Sequence, residues 1–221
     1  MTAPIAVAAI RRAQGEDFTR DLDLTRDELV YLLELTAQVK KTPGRFAREL
    51  AGRYLSLLFE KPSLRTRLTF ELAIKQLGGD SILNVGPIGE REPLKDVARN
   101  LDRWTNAIVA RTFLQKTVDE LARWSKVPVI NALTDMFHPC QALADVFTLK
   151  EHFGKLRGLR VAYVGDGNNV AHSLMICSAR LGMHFAIASP EGYDPNPDVV
   201  GEARRLAAES GTKLTVTRDP D

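Results

Sequence analysis

The sequence predicts an α/β protein of two parallel-sheet α/β domains, the second of them incomplete. From residue 54 to residue 217, short apolar runs alternate regularly with longer amphipathic segments. This alternation is typical of parallel strands joined by helices that cover the sheet. The 221 residues leave room for one large or two modest domains. We place the boundary near residue 146, which gives domains 1–146 and 147–221.

The first domain is expected to begin with a loosely ordered lead-in at residues 1–20. Thr25 and Glu28 then have the spacing of a capping box at the start of a helix. The strands that follow are predicted at Tyr54–Phe59, Ser81–Val85, Ala107–Ala110 and Pro128–Asn131. The helices between them are predicted at Ser63–Leu77, Pro93–Trp104, Thr117–Trp124 (capped by Thr117 and Glu120) and Pro139–Phe153.

The second domain repeats the alternation with fewer elements. Strands are predicted at Arg160–Val164, Phe185–Ala188 and Lys213–Thr217, and helices at 170–181 and 197–210. Both sheets are expected to carry helices on both faces. The second domain ends without a closing helix, so it is expected to be unfinished.

Composition excludes several classes of protein. The net charge is +2, and no Lys/Arg block dominates any segment, so we expect no nucleic-acid partner. No segment approaches the ~20 apolar residues of a membrane helix, so no membrane partner is expected. In the short apolar run at the N-terminus, the charges Arg11 and Arg12 follow rather than precede, the wrong order for a secretory signal. These features predict a cytoplasmic location.

Cysteine and histidine usage predicts neither a metal site nor another cofactor. The two cysteines, Cys140 and Cys177, lack metal-ligand spacing and are expected to be reduced thiols. His152, His172 and His184 also lack ligand spacing and are expected to be structural or surface residues.

The segment Ser63-Leu64-Arg65-Thr66-Arg67 follows a predicted strand and opens a helix. A helix N-terminus offers free N–H groups and the positive end of the dipole. Two hydroxyl groups and two guanidinium groups on the same turn would form a phosphate cradle. The alternative is a capped helix with two solvated arginines, and the segment alone leaves both open.

Two further features follow other predicted strands. His138-Pro139-Cys140-Gln141 opens the long helix, and Arg111 comes directly after Ala107–Ala110. His138 could polarise a carbonyl oxygen or could simply cap the helix. Arg111 alone would be read as a surface residue. Because parallel strands end at one sheet edge, we expect Ser63–Arg67, Arg111 and His138–Gln141 to surround one crevice.

Gly165-Asp166-Gly167-Asn168-Asn169 superficially resembles a dinucleotide fingerprint. Val170 stands where the third glycine of that fingerprint would be, so the match is weak. A dinucleotide-dependent enzyme stays as an alternative that tight NAD(P) binding would favour.

In this order, the motifs resemble those of the carbamoyltransferases, over essentially the whole chain from Asp21 to Asp221. The phosphate motif S-x-R-T-R stands at Ser63–Arg67, and H-P-x-Q stands at His138–Gln141. Within the family, Phe59-Glu60-Lys61-Pro62 and the segment 165–173 are similar to the ornithine branch.

The resemblance implies that carbamoyl phosphate and L-ornithine react to give L-citrulline and phosphate, without a cofactor. It implies catalytic roles at the carbonyl oxygen for Arg111, His138 and Thr66, and ornithine binding by Asn169. It implies contact with carbamoyl phosphate for Ser63, Leu64, Arg65, Thr66, Arg111, His138 and Gln141. Arg67 is expected to support this site by pairing with Glu71. A homotrimer, or a multiple of trimers, is the implied assembly.

Three departures from the family pattern bear on activity. Leu64 replaces a common Thr and offers only its backbone N–H. The loop 86–92 is short and lacks the Gln that relatives contribute to a neighbouring subunit, a role that Arg91 is a candidate to fill. The chain is expected to lack the Asp-x-x-x-Ser-Met-Gly loop, the His-Cys-Leu-Pro segment and the C-terminal helix. It could therefore be inactive alone, or be a non-catalytic carbamoyl-phosphate-binding or oligomer-modulating protein.

Overall fold

The computed structural model describes residues 15–220, which form two compact units. The first unit comprises residues 15–19 and Tyr31–Thr134, and the second comprises Arg20–Val30 and residues 135–220. Most of the lead-in expected at residues 1–20 lies outside the described residues. Phe18 departs from the predicted loose order of this lead-in, because it forms a parallel bridge with Ile130. The domain boundary proposed near residue 146 stays a prediction.

Four parallel strands form the sheet of the first unit. They are β1 (Tyr54–Phe59), β2 (Asp80–Val85), β3 (Ala107–Arg111) and β4 (Val129–Leu133), in the spatial order β2-β1-β3-β4. The helices are α1 (Arg26–Lys41, which begins in the second unit), α2 (Leu64–Gln76), α3 (Leu94–Trp104) and α4 (Gln115–Trp124), with a short 3-10 helix at Pro43–Phe46.

Alternate residues of these strands face two separate cores, as helices on both faces require. Leu57, Phe59 and Val109 pack with Ile74 of α2 on one face. On the other face, Leu58, Ile108 and Ala110 pack against α3 and α4 through Ala98, Val118 and Leu121. The predicted two-sided sheet is confirmed in this unit.

Three parallel strands form the sheet of the second unit. They are β5 (Arg160–Val164), β6 (His184–Ala188) and β7 (Leu214–Thr217), in that order. The helices are α5 (Pro139–Phe153), α6 (Asn169–Leu181) and α7 (Pro197–Ser210). Phe185 and Ile187 of β6 pack against both α6 and α7. On the opposite face, Arg160, Ala162 and Val164 are exposed, so the expectation of helices on both faces is wrong for the described part of this unit.

The capping box at the start of α1 is confirmed. The backbone N–H of Thr25 donates to Glu28 Oε2 at 2.6 Å, and the N–H of Glu28 donates to Thr25 Oγ1 at 3.3 Å. The prediction that Thr117 caps α4 is wrong, because that helix begins at Gln115. The buried Gln115 side chain donates to the carbonyl of Thr19 and accepts from Thr134 Oγ1 at 2.7 Å. A buried polar network, rather than a cap, therefore sets the start of α4.

Within residues 15–220, no helix is long and apolar enough to cross a membrane. Nor do the His, Cys, Asp and Glu side chains of that range form a group of three or more that could hold a metal ion. Neither Cys140 nor Cys177 forms a disulfide.

Candidate functional site

The N-terminal turn of α2 stands directly after the carboxyl end of β1. Ser63 is the N-cap residue in extended conformation, and its Oγ accepts a hydrogen bond from the backbone N–H of Thr66 at 3.3 Å. The cap leaves other N–H groups of the first turn pointing outward, where the helix dipole favours negative charge. This turn has the local geometry of an anion site.

The hydroxyl group of Thr66 joins two of the predicted features. Its Oγ1 accepts from Ser63 Oγ at 3.0 Å and from Arg111 Nη1 at 3.4 Å. A hydroxyl oxygen accepts at most two hydrogen bonds and donates one. Both acceptor positions of Thr66 are therefore used, while its proton has no acceptor among the described residues. Thr66 can donate that proton to a bound oxygen atom.

Arg111 is a half-buried cation at the end of β3. Burial, followed by the charge of nearby Arg65, lowers the pKa of its guanidinium group. In residues 15–220, Arg111 makes no ion pair with a carboxylate, and its buried Nε has no hydrogen-bond partner there. Two guanidinium groups thus lie close enough to repel each other at a helix N-terminus. An anion bound between them would offset this repulsion.

The other residues of the cradle differ in their surroundings. Arg65 is exposed, and the Leu64 side chain is 73% exposed, so Leu64 offers the site only its backbone N–H. Arg67 Nε pairs with Glu71 Oε1 at 2.9 Å, as its i, i+4 spacing predicts. The Arg67 charge therefore already has a carboxylate partner, which Arg111 lacks among the described residues.

The order of the strands explains why these groups meet. From β1 the chain moves to β2 on one side, and from β3 it moves to β4 on the other. The carboxyl ends of β1 and β3 therefore border a topological switch point, where open α/β sheets bind ligands. Ser63–Arg67 follow β1, and Arg111 ends β3.

His138 and Gln141 lie at the start of α5, in the second unit. His138 occupies the N-cap position without a side-chain capping bond, and its backbone N–H donates to Ser173 Oγ at 3.0 Å. Gln141 Nε2 donates to Asp145 Oδ1 at 2.9 Å. The expected meeting of these residues with Arg111 joins the two units and stays a prediction.

Two residues that sequence reasoning missed support the His138 segment. Ser173 accepts from the His138 backbone and donates its own hydroxyl proton to Asp21. Asp21 is fully buried, and burial raises the pKa of its carboxyl group to about 6, although hydrogen bonds from Ser173 and Cys177 lower it. Nothing in the acidic segment around Asp21 distinguishes it from a surface residue. Ser173 lies in the motif 165–173 but carries no recognisable pattern of its own.

The turn after β5 presents Asn169 as the first residue of α6, while Asn168 caps that helix through Val170 and Ala171. Gly167 in this turn lies against the neighbouring loop. A Cβ atom at Gly167 would be 2.1 Å from the backbone nitrogen of Pro195. Internal packing thus explains this glycine without a dinucleotide, which weakens that alternative.

Two family models match the sequence. The carbamoyl-phosphate-binding domain of aspartate/ornithine carbamoyltransferases matches residues 16–151, and the aspartate/ornithine-binding domain of the same proteins matches residues 157–221. The chain belongs to the aspartate/ornithine carbamoyltransferase family.

Ornithine carbamoyltransferases are among its similar relatives. That of Anoxybacillus flavithermus is 46% identical over 219 residues, which cover 97% of this chain and 70% of the relative. The structure of the Pyrococcus furiosus enzyme has a TM-score of 0.90 and 43% identity, covering 93% of this chain and 67% of that one. The structure of the Gloeobacter violaceus enzyme has a TM-score of 0.86 and 45% identity, covering 92% of this chain and 68% of that one. This carbamoyltransferase sequence thus spans roughly two thirds of the relatives' length.

Proposed function

We propose that this chain transfers the carbamoyl group of carbamoyl phosphate to the δ-amine of L-ornithine, giving L-citrulline and phosphate. The observation that carries the proposal is the pair of cations at the switch point of the first sheet. Arg111 donates to Thr66 on the first turn of α2, and the charge of Arg65 perturbs Arg111. A small dianion complements this arrangement.

The phosphate group would bind at the N-terminus of α2. Arg65 and the backbone N–H groups of Leu64 and Arg65 supply charge and hydrogen bonds. Ser63 would contribute its hydroxyl group by turning its proton from Thr66 Oγ1 toward a phosphate oxygen. Site geometry and the family's name for this domain both support this assignment.

The carbamoyl group would lie beyond the phosphate, toward Arg111. When the neutral δ-amine attacks the carbamoyl carbon, a C–N bond forms and negative charge develops on the carbonyl oxygen. Arg111, Thr66 and His138 are the proposed donors to that oxygen, and Gln141 orients the carbamoyl nitrogen. The bond between the carbamoyl carbon and the bridging phosphate oxygen then breaks, its electron pair leaves with phosphate, and the carbonyl is restored. The amine releases its extra proton to phosphate or solvent.

Positioning and electrostatic stabilisation are sufficient for this reaction, and no covalent intermediate is required. Asn169 is proposed to bind the amino-acid end of ornithine from the start of α6. Similar relatives that are ornithine carbamoyltransferases support ornithine, rather than aspartate, as the acceptor.

An assay with two acceptor amines tests the reaction. The chain is incubated with carbamoyl phosphate and either L-ornithine or L-aspartate, and both phosphate release and the carbamoylated product are measured. We expect citrulline from ornithine and no carbamoyl-aspartate. Calorimetry with phosphonoacetamide, a stable analogue of carbamoyl phosphate, separates binding from turnover. Binding without citrulline would support the non-catalytic alternative, and absence of both would overturn the proposal.

We also propose that the chain assembles as a homotrimer or a multiple of trimers. Leu64, Leu68 and Leu72 form a ridge at i, i+4 and i+8 on α2, and they are 73%, 42% and 55% exposed. Contiguous apolar residues at the surface are typical of contacts between subunits. Sedimentation analysis of the chain measures its assembly directly.

A further inference from the structure

The carboxylate of Glu60 connects the turns that follow three neighbouring strands. Glu60 comes directly after β1 and is half-buried. Its Oε1 accepts from the backbone N–H of Ile88 at 3.1 Å, in the loop after β2. Its Oε2 accepts from the N–H of Phe113 at 3.2 Å, in the turn after β3. One side chain therefore fixes three strand ends around the switch point.

Glu60 also holds the chain at Arg111 itself and two residues beyond it. The backbone N–H of Glu60 donates to the carbonyl oxygen of Arg111 at 3.0 Å, and the N–H of Lys61 donates to the same oxygen at 3.4 Å. The carboxylate of Glu60 holds Phe113, two residues further along. Because one set of contacts is made at the Arg111 carbonyl and the other just after it, they limit how far the Arg111 backbone can move relative to α2.

The turn after β3 depends on such hydrogen bonds. The side chains of Phe113 and Leu114 are each 56% exposed, so their burial contributes little to holding the turn. Besides Glu60, Thr112 contributes by donating its hydroxyl proton to the carbonyl of Leu114 at 2.9 Å. A carboxylate suits two amide donors because both of its oxygens accept hydrogen bonds.

We infer that Glu60 is a positioning residue, which holds Arg111 at the anion site by tying the turns after β2 and β3 to the start of α2. The inference rests on the proposed function, because it assigns Glu60 a role in carbamoyl phosphate binding. A negative charge near a site for a dianion is electrostatically unfavourable. The positioning role of Glu60 explains why a carboxylate stands next to this site despite that cost.

The substitution Glu60→Gln separates positioning from charge. Glutamine has the same size but only one accepting oxygen, so one of the two amides loses its partner. Removing the negative charge alone would strengthen anion binding, whereas loss of positioning would weaken it. Glu90→Gln, in the exposed part of the loop 86–92, makes the same charge change and is the matched control. Glu60→Asp keeps the negative charge, but its shorter side chain moves the carboxylate away from the amides of Ile88 and Phe113.

Two measurements decide the question. Hydrogen exchange should become faster at the amide of Ile88 or of Phe113, whichever loses its acceptor in Glu60→Gln, and stay unchanged at both amides in Glu90→Gln. Calorimetry with phosphonoacetamide should show affinity about fivefold weaker for Glu60→Gln and Glu60→Asp, the equivalent of one lost hydrogen bond. Glu90→Gln should bind equally or slightly more tightly. Thermal unfolding verifies that each variant is folded.

A double-mutant cycle with Arg111→Ala distinguishes positioning from a general structural effect. If Glu60 acts through Arg111, Glu60→Gln should lower affinity much less when Arg111 is already absent. Fully additive losses, or unchanged exchange and affinity in Glu60→Gln, would overturn the inference. If the unsubstituted chain does not bind phosphonoacetamide, the proposed function fails, while the exchange measurement still tests whether Glu60 holds the two turns.

Discussion

At the scale of the residue, the candidate site consists of two cations with different environments. Arg65 is exposed, whereas Arg111 is half-buried and hydrogen-bonded to Thr66. The partial burial of Arg111 makes its charge more effective, because a lower local dielectric strengthens its attraction to an anion. Arg65 adds charge at the helix N-terminus, where the dipole already favours an anion.

Replacing Arg65 by alanine should therefore weaken the binding of phosphonoacetamide by about 2 kcal/mol, or roughly 30-fold, because a charge-assisted contact is lost. Isothermal calorimetry measures this change. Arg48→Ala removes the same charge from an exposed position near the C-terminal end of α2, and its affinity should stay at the unsubstituted value. Equal affinities for Arg65→Ala and the control would refute the phosphate role of Arg65.

Asp21 predicts a pH dependence of stability. Burial raises the pKa of its carboxyl group from 3.8 to about 6, despite hydrogen bonds from Ser173 and Cys177. Between about pH 4 and pH 6, the folded chain holds a proton that the unfolded chain releases, so the free energy of unfolding falls as pH rises. The resulting loss in the free energy of unfolding is at most about 3 kcal/mol, and it is reached once the pH is above about 6.

Asp21→Asn removes that titration. Its free energy of unfolding, relative to the unsubstituted chain, should therefore rise by up to about 3 kcal/mol between pH 4 and pH 7.5. Urea unfolding at both pH values measures the difference. Taking the difference cancels other titrating groups, including His172, whose pKa is lowered chiefly by burial. A difference that is the same at both pH values would show that Asp21 does not titrate in this range.

Residue contacts could be predicted from the sequence where they are local. The Thr25–Glu28 capping box and the Arg67–Glu71 ion pair lie three and four residues apart, and both are present. The contact between Asp21 and Ser173 spans 152 residues. Such a contact depends on how the chain folds back on itself, and no local spacing encodes it.

At the scale of the element, the turn from β1 to α2 caps the helix and is also the proposed phosphate site. Ser63→Ala removes the N-cap acceptor and should destabilise the chain by about 1 kcal/mol. Ser63→Asp retains a good cap and a favourable charge for the helix dipole, so stability should be preserved. The same carboxylate repels phosphate, so phosphonoacetamide affinity should fall more than about tenfold. Chemical unfolding and calorimetry on both variants separate the two effects, and unimpaired binding by Ser63→Asp would contradict the cradle.

Most elements could be predicted within one or two residues, because apolar periodicity and Gly or Pro boundaries mark them. Strands β1 and β5 and helices α5 and α7 have their predicted bounds. The start of α4 could not be predicted, because the buried Gln115 network overrides local capping preferences. The exposed face of β5 in the second sheet also departs from expectation, since neither α6 nor α7 covers it.

At the scale of the whole molecule, the sequence predicted parallel sheets but not the order of their strands. The order β2-β1-β3-β4 places the ends of β1 and β3 side by side and creates the switch point. That order is a tertiary property of the crossover connections. The sequence could therefore indicate that Ser63–Arg67 and Arg111 share a sheet edge, and the structure adds that Arg111 contacts Thr66 directly.

Assembly gives the last prediction. If the leucine ridge on α2 lies between subunits, Leu72→Glu would bury a carboxylate in an apolar contact, which costs several kcal/mol without a partner. We expect this variant to sediment as a monomer while the unsubstituted chain sediments as a trimer or a multiple of trimers. Phe153→Glu introduces the same charge at a residue that is 53% exposed in the second unit, and should leave assembly unchanged. A Leu72→Glu variant that sediments like the unsubstituted chain would show that the ridge is free of subunit contacts.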